Sequence, residues 1–342
     1  MRQNINWGII GLGNIALQFA QAFKDSTNSK LKGISSTNPE KIKVFQEKFE
    51  INKEYCFNNY QDLLNCDNID IVYIALPNSM HKEWILKSIN NNKNILVEKP
   101  AFMNLSETES IKKKVIDNNI FFSEGFMYRY TPQTLKVIEL IKNNTIGKPV
   151  SMDSSFGINL LTKKNIFGFK KIKRIDKDNR LFNKKLGGGA ILDLGCYPVS
   201  FSVLIASLVS KINYNKIKVL EKCKETSSLD VDIHSQAKLE FENGFVSVVK
   251  ASFSKSLGTE TTINGIDGTI KIKNSWGAEP STIILEGKTN KIIKTENNNN
   301  IFSYEIDALS KDILESRLSP SFPGTSINET IGLTKILDEW LN

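Results

Sequence analysis

Only two histidines, His81 and His234, occur in 342 residues. That scarcity nearly removes the usual transition-metal sites and leaves little scope for a histidine-based triad. The four cysteines, Cys56, Cys66, Cys196 and Cys223, form no C-x-x-C pair and have no histidine at metal-ligand spacing, so neither zinc nor a disulfide framework is expected. General acid and base work must come from other residue types. No run reaches the roughly 18 apolar residues of a membrane span, and no basic segment followed by a long apolar stretch opens the chain. The expectation is a soluble cytoplasmic protein without a membrane partner. The net charge of +8 is spread along the chain among Glu and Asp. Lys163, Lys164, Lys170, Lys171, Lys173 and Arg174 form the one dense basic stretch; it lacks a nucleic-acid motif and reads as a solvated loop, so no nucleic-acid partner is expected. A basic surface near a pocket would equally attract a phosphorylated cofactor or an anionic substrate.

What is present begins at the N-terminus. Ile5, Trp7, Ile9 and Ile10 form an apolar strand, Gly11-Leu12-Gly13-Asn14-Ile15-Ala16 follows at once, and Leu17, Phe19, Ala20, Ala22 and Phe23 continue as a helix. Gly11 permits a tight strand-to-helix turn, Gly13 lets a pyrophosphate approach the backbone, and small Ala16 lets helix and strand pack closely. Amides at the helix start, those of Asn14 and Ile15, then face the phosphates. A second strand, Leu31 to Ser35, ends in Ser35-Ser36-Thr37, where a fold preferring NAD usually carries Asp or Glu on the ribose 2′-hydroxyl. Hydroxyl side chains at Ser36 and Thr37, with Lys41 close behind, favour NADP and leave NAD possible. Alternatively these residues cap the next helix, which Pro39 and Glu40 begin.

Asp70 to Leu76 is a nearly continuous apolar run, as expected of a parallel strand covered on both faces. Leu76, Pro77 and Asn78 end it and His81 opens a helix, at the carboxyl edge where open α/β sheets bind ligands. His81 serves there either as a cap, in cofactor packing or in chemistry. Asn94 to Pro100 is another strand and its exit. Lys99 is held on fixed backbone before Pro100, and either stabilises a developing alkoxide at the nicotinamide edge or is simply solvated. Ser106 and Glu109 predict a capping box, and strand and helix alternate to residue 123. That alternation predicts a doubly wound parallel sheet, with one domain over 1–123 and another over 124–342.

In the second half, residues 160–186 read as a long loop, of the kind that covers a pocket. Gly187-Gly188-Gly189-Ala190-Ile191-Leu192-Asp193-Leu194-Gly195-Cys196-Tyr197 then leads a helix with Asp193 and Tyr197 four residues apart on one face. Tyrosine has an ordinary pKa near 10 and needs a nearby cation to act at neutral pH; Lys99 is the candidate. The alternatives are glycines that serve helix packing and a core tyrosine, with local distortion from Pro198 in either case. Segments 236–241, 246–253, 261–264, 269–272, 282–285 and 291–294 read as strands joined by Asn-Gly, Asp-Gly and Glu-Gly turns. They predict an open, mostly antiparallel sheet, and a homodimer or homotetramer that covers it. Two helices, about 304–316 and 326–340, close the chain and are expected to return to pack near the first domain.

Together these residues resemble the Gfo/Idh/MocA oxidoreductases. The resemblance rests on Gly11-x-Gly13-x-x-Ala16, Glu98-Lys99-Pro100, the 187–197 stretch, and Glu305-Ile306-Asp307 with Pro320 beyond. Pro77-Asn78-Ser79-x-His81 and Glu124-Gly-Phe-Met-Tyr-Arg129-Tyr130 are similar to the branch with dihydrodiol dehydrogenase, xylose dehydrogenase and glucose-fructose oxidoreductase. The resemblance implies a Rossmann domain, a second α/β domain and reversible hydride transfer between NAD(P) and a sugar or polyol carbon. It implies catalytic roles for Lys99, Tyr197 and Asp193, which also touch substrate, and adds Leu76, Pro77, Asn78, His81, Glu98, Lys99 and Arg129 to the cofactor site. Relatives that prefer NADP often carry arginine where Thr37 stands. A dinucleotide-binding sensor or scaffold without turnover is the alternative, disfavoured by the intact Lys99, Asp193 and Tyr197.

Overall fold

The computed structural model describes residues 4–164, 170–172, 175–177, 179–277, 281–288, 290–296 and 299–342. It divides into two compact units, Met1–Thr131 with Asn297–Ile331, and Pro132–Glu296 with Gly332–Asn342. The division therefore falls after Thr131 instead of residue 123, and a later segment returns to the first unit.

In the first unit β1 (Ile5–Ile10), β2 (Ser29–Ser35), β3 (Cys56–Phe57), β4 (Ile71–Ile74), β5 (Asn94–Glu98) and β6 (Phe122–Gly125) form one sheet in the order β3-β2-β1-β4-β5-β6. All five pairings are parallel, and every residue of β4 is buried, as its unbroken apolar run requires. The crossovers are α1 (Asn14–Gln21), α2 (Pro39–Phe49), α3 (Tyr60–Leu64), α4 (Asn78–Asn90) and α5 (Glu109–Asp117). The strand order reverses between β1 and β4, the switch point at which such sheets bind nucleotides. One local expectation fails. Ser106 Oγ donates to Asn104 Oδ1 at 2.6 Å instead of capping α5, and Glu107 accepts from the Met103 amide at 3.2 Å.

The returning helix Ile301–Leu314 fills the core of this unit, placing Phe302, Ile306 and Leu309 among Trp7, Phe19 and Tyr73. The Trp7 indole N–H donates to Ser310 Oγ at 2.9 Å, which satisfies a buried donor that would otherwise cost free energy.

The second unit holds α6 (Pro132–Lys142), α7 (Cys196–Val209) and a sheet of β7 (Pro149–Gly157), β10 (Lys218–Thr226), β11 (Asp232–Glu240), β12 (Val246–Ser252), β13 (Thr261–Gly265), β14 (Gly268–Ile272), β15 (Ser281–Gly287) and β16 (Lys291–Thr295). Its order is β10-β11-β12-β7-β13-β14-β15-β16. Among its described strands only β7 and β12 pair in parallel. Strands β8 (Thr162–Lys164) and β9 (Lys170–Ile172) form a small antiparallel pair inside the stretch expected to be irregular; Lys173 and Arg174 of the basic run lie outside the described residues. The helical stretch Lys184–Val209 is apolar and long enough to cross a membrane, yet 83 % of its most apolar window is buried inside the protein. It is the core helix of this unit, with Ala237, Leu239, Val249 and Ala251 of the sheet buried with it. The chain closes with the helix Ile327–Leu341.

Candidate functional site

The cofactor half lies at the carboxyl edge of the first sheet. Gly11 has φ +90°, and a Cβ there would come within 2.7 Å of the Leu76 side chain and 2.8 Å of the Ala75 carbonyl. Only glycine lets the ends of β1 and β4 approach this closely. Gly13 is different: a Cβ there would meet no protein atom within 4 Å, and no side chain caps α1. The amides of the first turn, including those of Asn14 and Ile15, have no partner within the helix, and the start of a helix of this kind is where an anion is received. Ala16 is fully buried where helix meets strand. These residues fit a dinucleotide pyrophosphate. Gly13→Ala should accordingly leave the melting temperature of the apoprotein within about 1 °C, since the methyl meets nothing, while weakening NADPH binding roughly tenfold or more by occupying the phosphate's place; unchanged affinity in a fluorescence titration would sink this placement.

At the end of β2, Ser36 is buried and its Oγ accepts from the Asn38 amide at 3.1 Å. The cap of α2 is Asn38, whose Oδ1 accepts from Glu40 N and Lys41 N at 3.0 and 3.2 Å. Thr37 and Lys41 are exposed, and no carboxylate stands at the strand end itself.

Leu76 and Pro77 are half-buried and Asn78 is buried at the start of α4. Two residues expected to touch the cofactor do not present themselves to it. His81 has no exposed surface; its Nδ1 lies 3.1 Å from the Pro100 carbonyl oxygen and its Nε2 2.9 Å from that of Leu76. Arg129 has none either: Nη2 meets Glu329 Oε1 at 2.7 Å and Nη1 donates to the Pro323 carbonyl at 3.2 Å. Burial opposes the Arg129 charge, but the Glu329 carboxylate outweighs it and raises the guanidinium pKa. Neither side chain has surface through which to meet a docked ligand.

The end of β5 is crowded with acids. The Tyr73 hydroxyl donates to Glu98 Oε1, and the Lys99 amide donates to Glu98 Oε2 at 3.2 Å. Glu305 is buried; burial, then the neighbouring Glu98 charge, push its carboxyl well above the usual range. Lys99 is half-buried on the turn that follows. Beyond it the Ala101 amide donates to Glu124 Oε1 at 2.9 Å, and burial pushes the Glu124 carboxyl up to about 7, against the lowering effect of that amide, Thr330 and Arg129.

The second unit carries the other candidates. Gly189 has φ +122°, and a Cβ there would collide with Asp232 Oδ1, while Asp232 Oδ2 accepts from the Ile191 amide at 2.7 Å. Burial raises the Asp232 carboxyl against the lowering effect of the Ile191 amide. A Cβ on Gly195 would stand 2.7 Å from the Trp340 ring. At Gly189 and Gly195, then, the glycines serve packing. Ile191–Gly195 forms a π turn before α7, which is the distortion anticipated upstream of Pro198, whose ring and missing N–H disturb the carbonyl four residues back. Asp193 is half-buried, with both Arg180 Nη atoms 3.2 Å from its Oδ1. Tyr197 retains 7 % exposure, its ring edge-on to Phe156 at 5.2 Å and tilted against Trp276 at 5.7 Å. The sequence reading missed Arg180 and Trp276; the only signal for Arg180 was the basic character of its loop. Lys99 belongs to one unit, and Asp193 and Tyr197 to the other.

Residues 5–126 match the family model described as an oxidoreductase family with an NAD-binding Rossmann fold, and residues 134–271 match that of the GFO/IDH/MocA C-terminal domain. The chain belongs to the Gfo/Idh/MocA oxidoreductase family. This family member is an NAD(P)-dependent oxidoreductase, with the Rossmann domain followed by the mixed, mostly antiparallel sheet expected from its motifs. It is 26 % identical over 287 residues to trans-1,2-dihydrobenzene-1,2-diol dehydrogenase of Xenopus tropicalis, covering 83 % of this chain and 80 % of that one. Against D-xylose 1-dehydrogenase (NADP(+)) 2 of Haloferax volcanii it is 26 % identical over 275 residues, 80 % of this chain and 78 % of that. Its fold matches the crystal structure of KijD10, a 3-ketoreductase from Actinomadura kijaniata in complex with NADP and TDP-benzene, with TM-score 0.80 and 21 % identity over 98 % of this chain and 96 % of that one.

Proposed function

We propose that this oxidoreductase prefers NADP and acts on a sugar or sugar derivative, at an aldose C1 or at a ring hydroxyl or keto carbon. Bound NADP(H) supplies the hydride acceptor or donor. In the oxidation direction Tyr197 takes the proton of the substrate hydroxyl, the Lys99 ammonium stabilises the negative charge developing on that oxygen, and Asp193, oriented by Arg180, accepts a hydrogen bond from a neighbouring hydroxyl. The observation that carries the reading is Lys99 itself, half-buried on a turn whose backbone is held by buried side chains, at the sheet edge where the cofactor phosphates fit. Support for NADP comes from the exposed Thr37 and Lys41 and the absence of a carboxylate at the end of β2. Relatives named for xylose, for a dihydrodiol and for a dTDP-linked keto sugar support a polyhydroxylated substrate.

The test is turnover of NADP(+) and NADPH with a panel of aldoses, ketosugars and nucleotide-linked sugars, beside titrations with NADPH and NADH. Tighter NADPH binding and cofactor reduction or oxidation with at least one sugar are expected. Tighter NADH binding would overturn the cofactor preference; NADPH binding without turnover on any sugar would leave a sensor as the better reading.

A further inference from the structure

His81 and Glu124 are distant in sequence and both carry side chains able to do chemistry, yet both are buried, at 0 % and 2 % exposure. Their partners explain why. The carbonyl that faces His81 Nδ1 at 3.1 Å is that of Pro100, and the amide that donates to Glu124 Oε1 at 2.9 Å is that of Ala101. These are the two ends of a single peptide group, so one imidazole and one carboxyl hold the same amide plane from opposite edges. The pyrrolidine ring already fixes φ of Pro100. Gripping the plane that follows fixes its ψ as well, which leaves the residue immediately after Lys99 no soft torsion. On the other side Lys99 is joined to Glu98, the last residue of β5, which pairs with Gly125 of β6. The second ring nitrogen of His81 lies 2.9 Å from the Leu76 carbonyl oxygen; the neutral ring has one N–H and donates to one of these two carbonyls, and only the imidazolium donates to both and ties the exit of β4 to the exit of β5. Its position on the first turn of α4 makes this possible, because helical side chains lean back toward the N-terminus.

We propose that His81 is a positioning residue for Lys99, acting with Glu124 by clamping the Pro100–Ala101 peptide so that the lysine ammonium is held where the substrate oxygen develops charge. The inference rests on the catalytic role given to Lys99 above. Displacement of a catalytic group by about 1 Å can cost on the order of 10²-fold in rate, and a lysine on a turn where ψ of the next residue has been released can move that far.

The experiment compares kcat, KM, NADPH affinity and melting temperature for His81→Phe, Lys99→Ala and their double variant, with Glu124→Gln and Glu124→Leu alongside. Phenylalanine fills the imidazole's space without a donor. Glutamine keeps an oxygen that can accept from the Ala101 amide, and leucine does not. His81→Phe is expected to lower kcat by about 10²-fold with KM and NADPH affinity within roughly threefold. The double variant should be no slower than Lys99→Ala alone, since a positioning residue has nothing left to position, and Glu124→Gln should keep at least about tenfold more kcat than Glu124→Leu. Full activity in His81→Phe beside an inactive Lys99→Ala overturns this inference alone. So do losses that multiply in the double variant, or equal rates in the two Glu124 variants, which decide the matter even where His81→Phe does not fold. A near-normal Lys99→Ala overturns the reading on which the inference stands, and this inference with it.

Discussion

Tyr197→Phe is expected to lower sugar turnover by about 10²–10⁴-fold, the usual contribution of a positioned acid or base, with NADPH affinity unchanged. The substitution removes one oxygen and keeps the ring, so the packing against Phe156 and Trp276 at 5.2 and 5.7 Å survives, and a loss of rate cannot be put down to a collapsed core. Lys99→Ala is expected to lose most turnover as well, because an ammonium aimed at a developing oxyanion acts mainly in the transition state. Both effects should appear in kcat and in kcat/KM to the same degree. Near-normal rates in both variants would end the mechanism, whatever becomes of the nucleotide pocket.

Arg129→Met is expected to produce the largest loss of stability, about 3–5 kcal/mol, the range measured when one partner of a buried ion pair is removed. Arg129 and Glu329 have side-chain exposures of 1 % and 15 %, and their atoms approach to 2.7 Å, so water replaces little of the lost cation. The guanidinium also lowers the Glu124 carboxyl, which means that the buried Glu124 and the half-buried Glu329 lose the same counter-charge. In urea the unfolding midpoint should fall with little change in slope, and adding Glu329→Gln should restore part of the loss by removing the stranded charge. A midpoint within about 1 kcal/mol of the parent protein would show that the pair contributes nothing net.

The parts of this fold that were legible in the sequence are those whose signal is local. The strand, glycine turn and helix over residues 5–21 lie in one continuous stretch, and the hydrophobic runs of β4, β5 and most strands of the second sheet announce themselves by composition. Strand β10 did not: nearly every side chain of Lys-Val-Leu-Glu-Lys-Cys-Lys-Glu-Thr is exposed or half-exposed, because it is an edge strand, and edges carry charge to discourage further pairing. The roles of His81 and Arg129 were illegible for a different reason. Histidine after a strand end reads the same whether its ring faces a ligand or two carbonyls, and the carbonyl that decides belongs to residue 100. Arg129 finds its counter-ion two hundred residues later. Arg180 was hidden in a basic stretch whose plain reading is a solvated loop, and the contact with Asp193 that singles it out exists only once the chain has folded.

The helix Ile301–Leu314 lends Phe302, Ile306 and Leu309 to the nucleotide-binding core, and this has a consequence for the gene. The chain passes from one unit to the other three times, after residues 131, 296 and 331, so the Rossmann module cannot be lifted out as a single fragment. A stop codon placed at the end of its sixth strand would leave a hydrophobic trough where that helix belongs, and exchange of cofactor specificity by swapping N-terminal modules between relatives would have to carry the distant helix along.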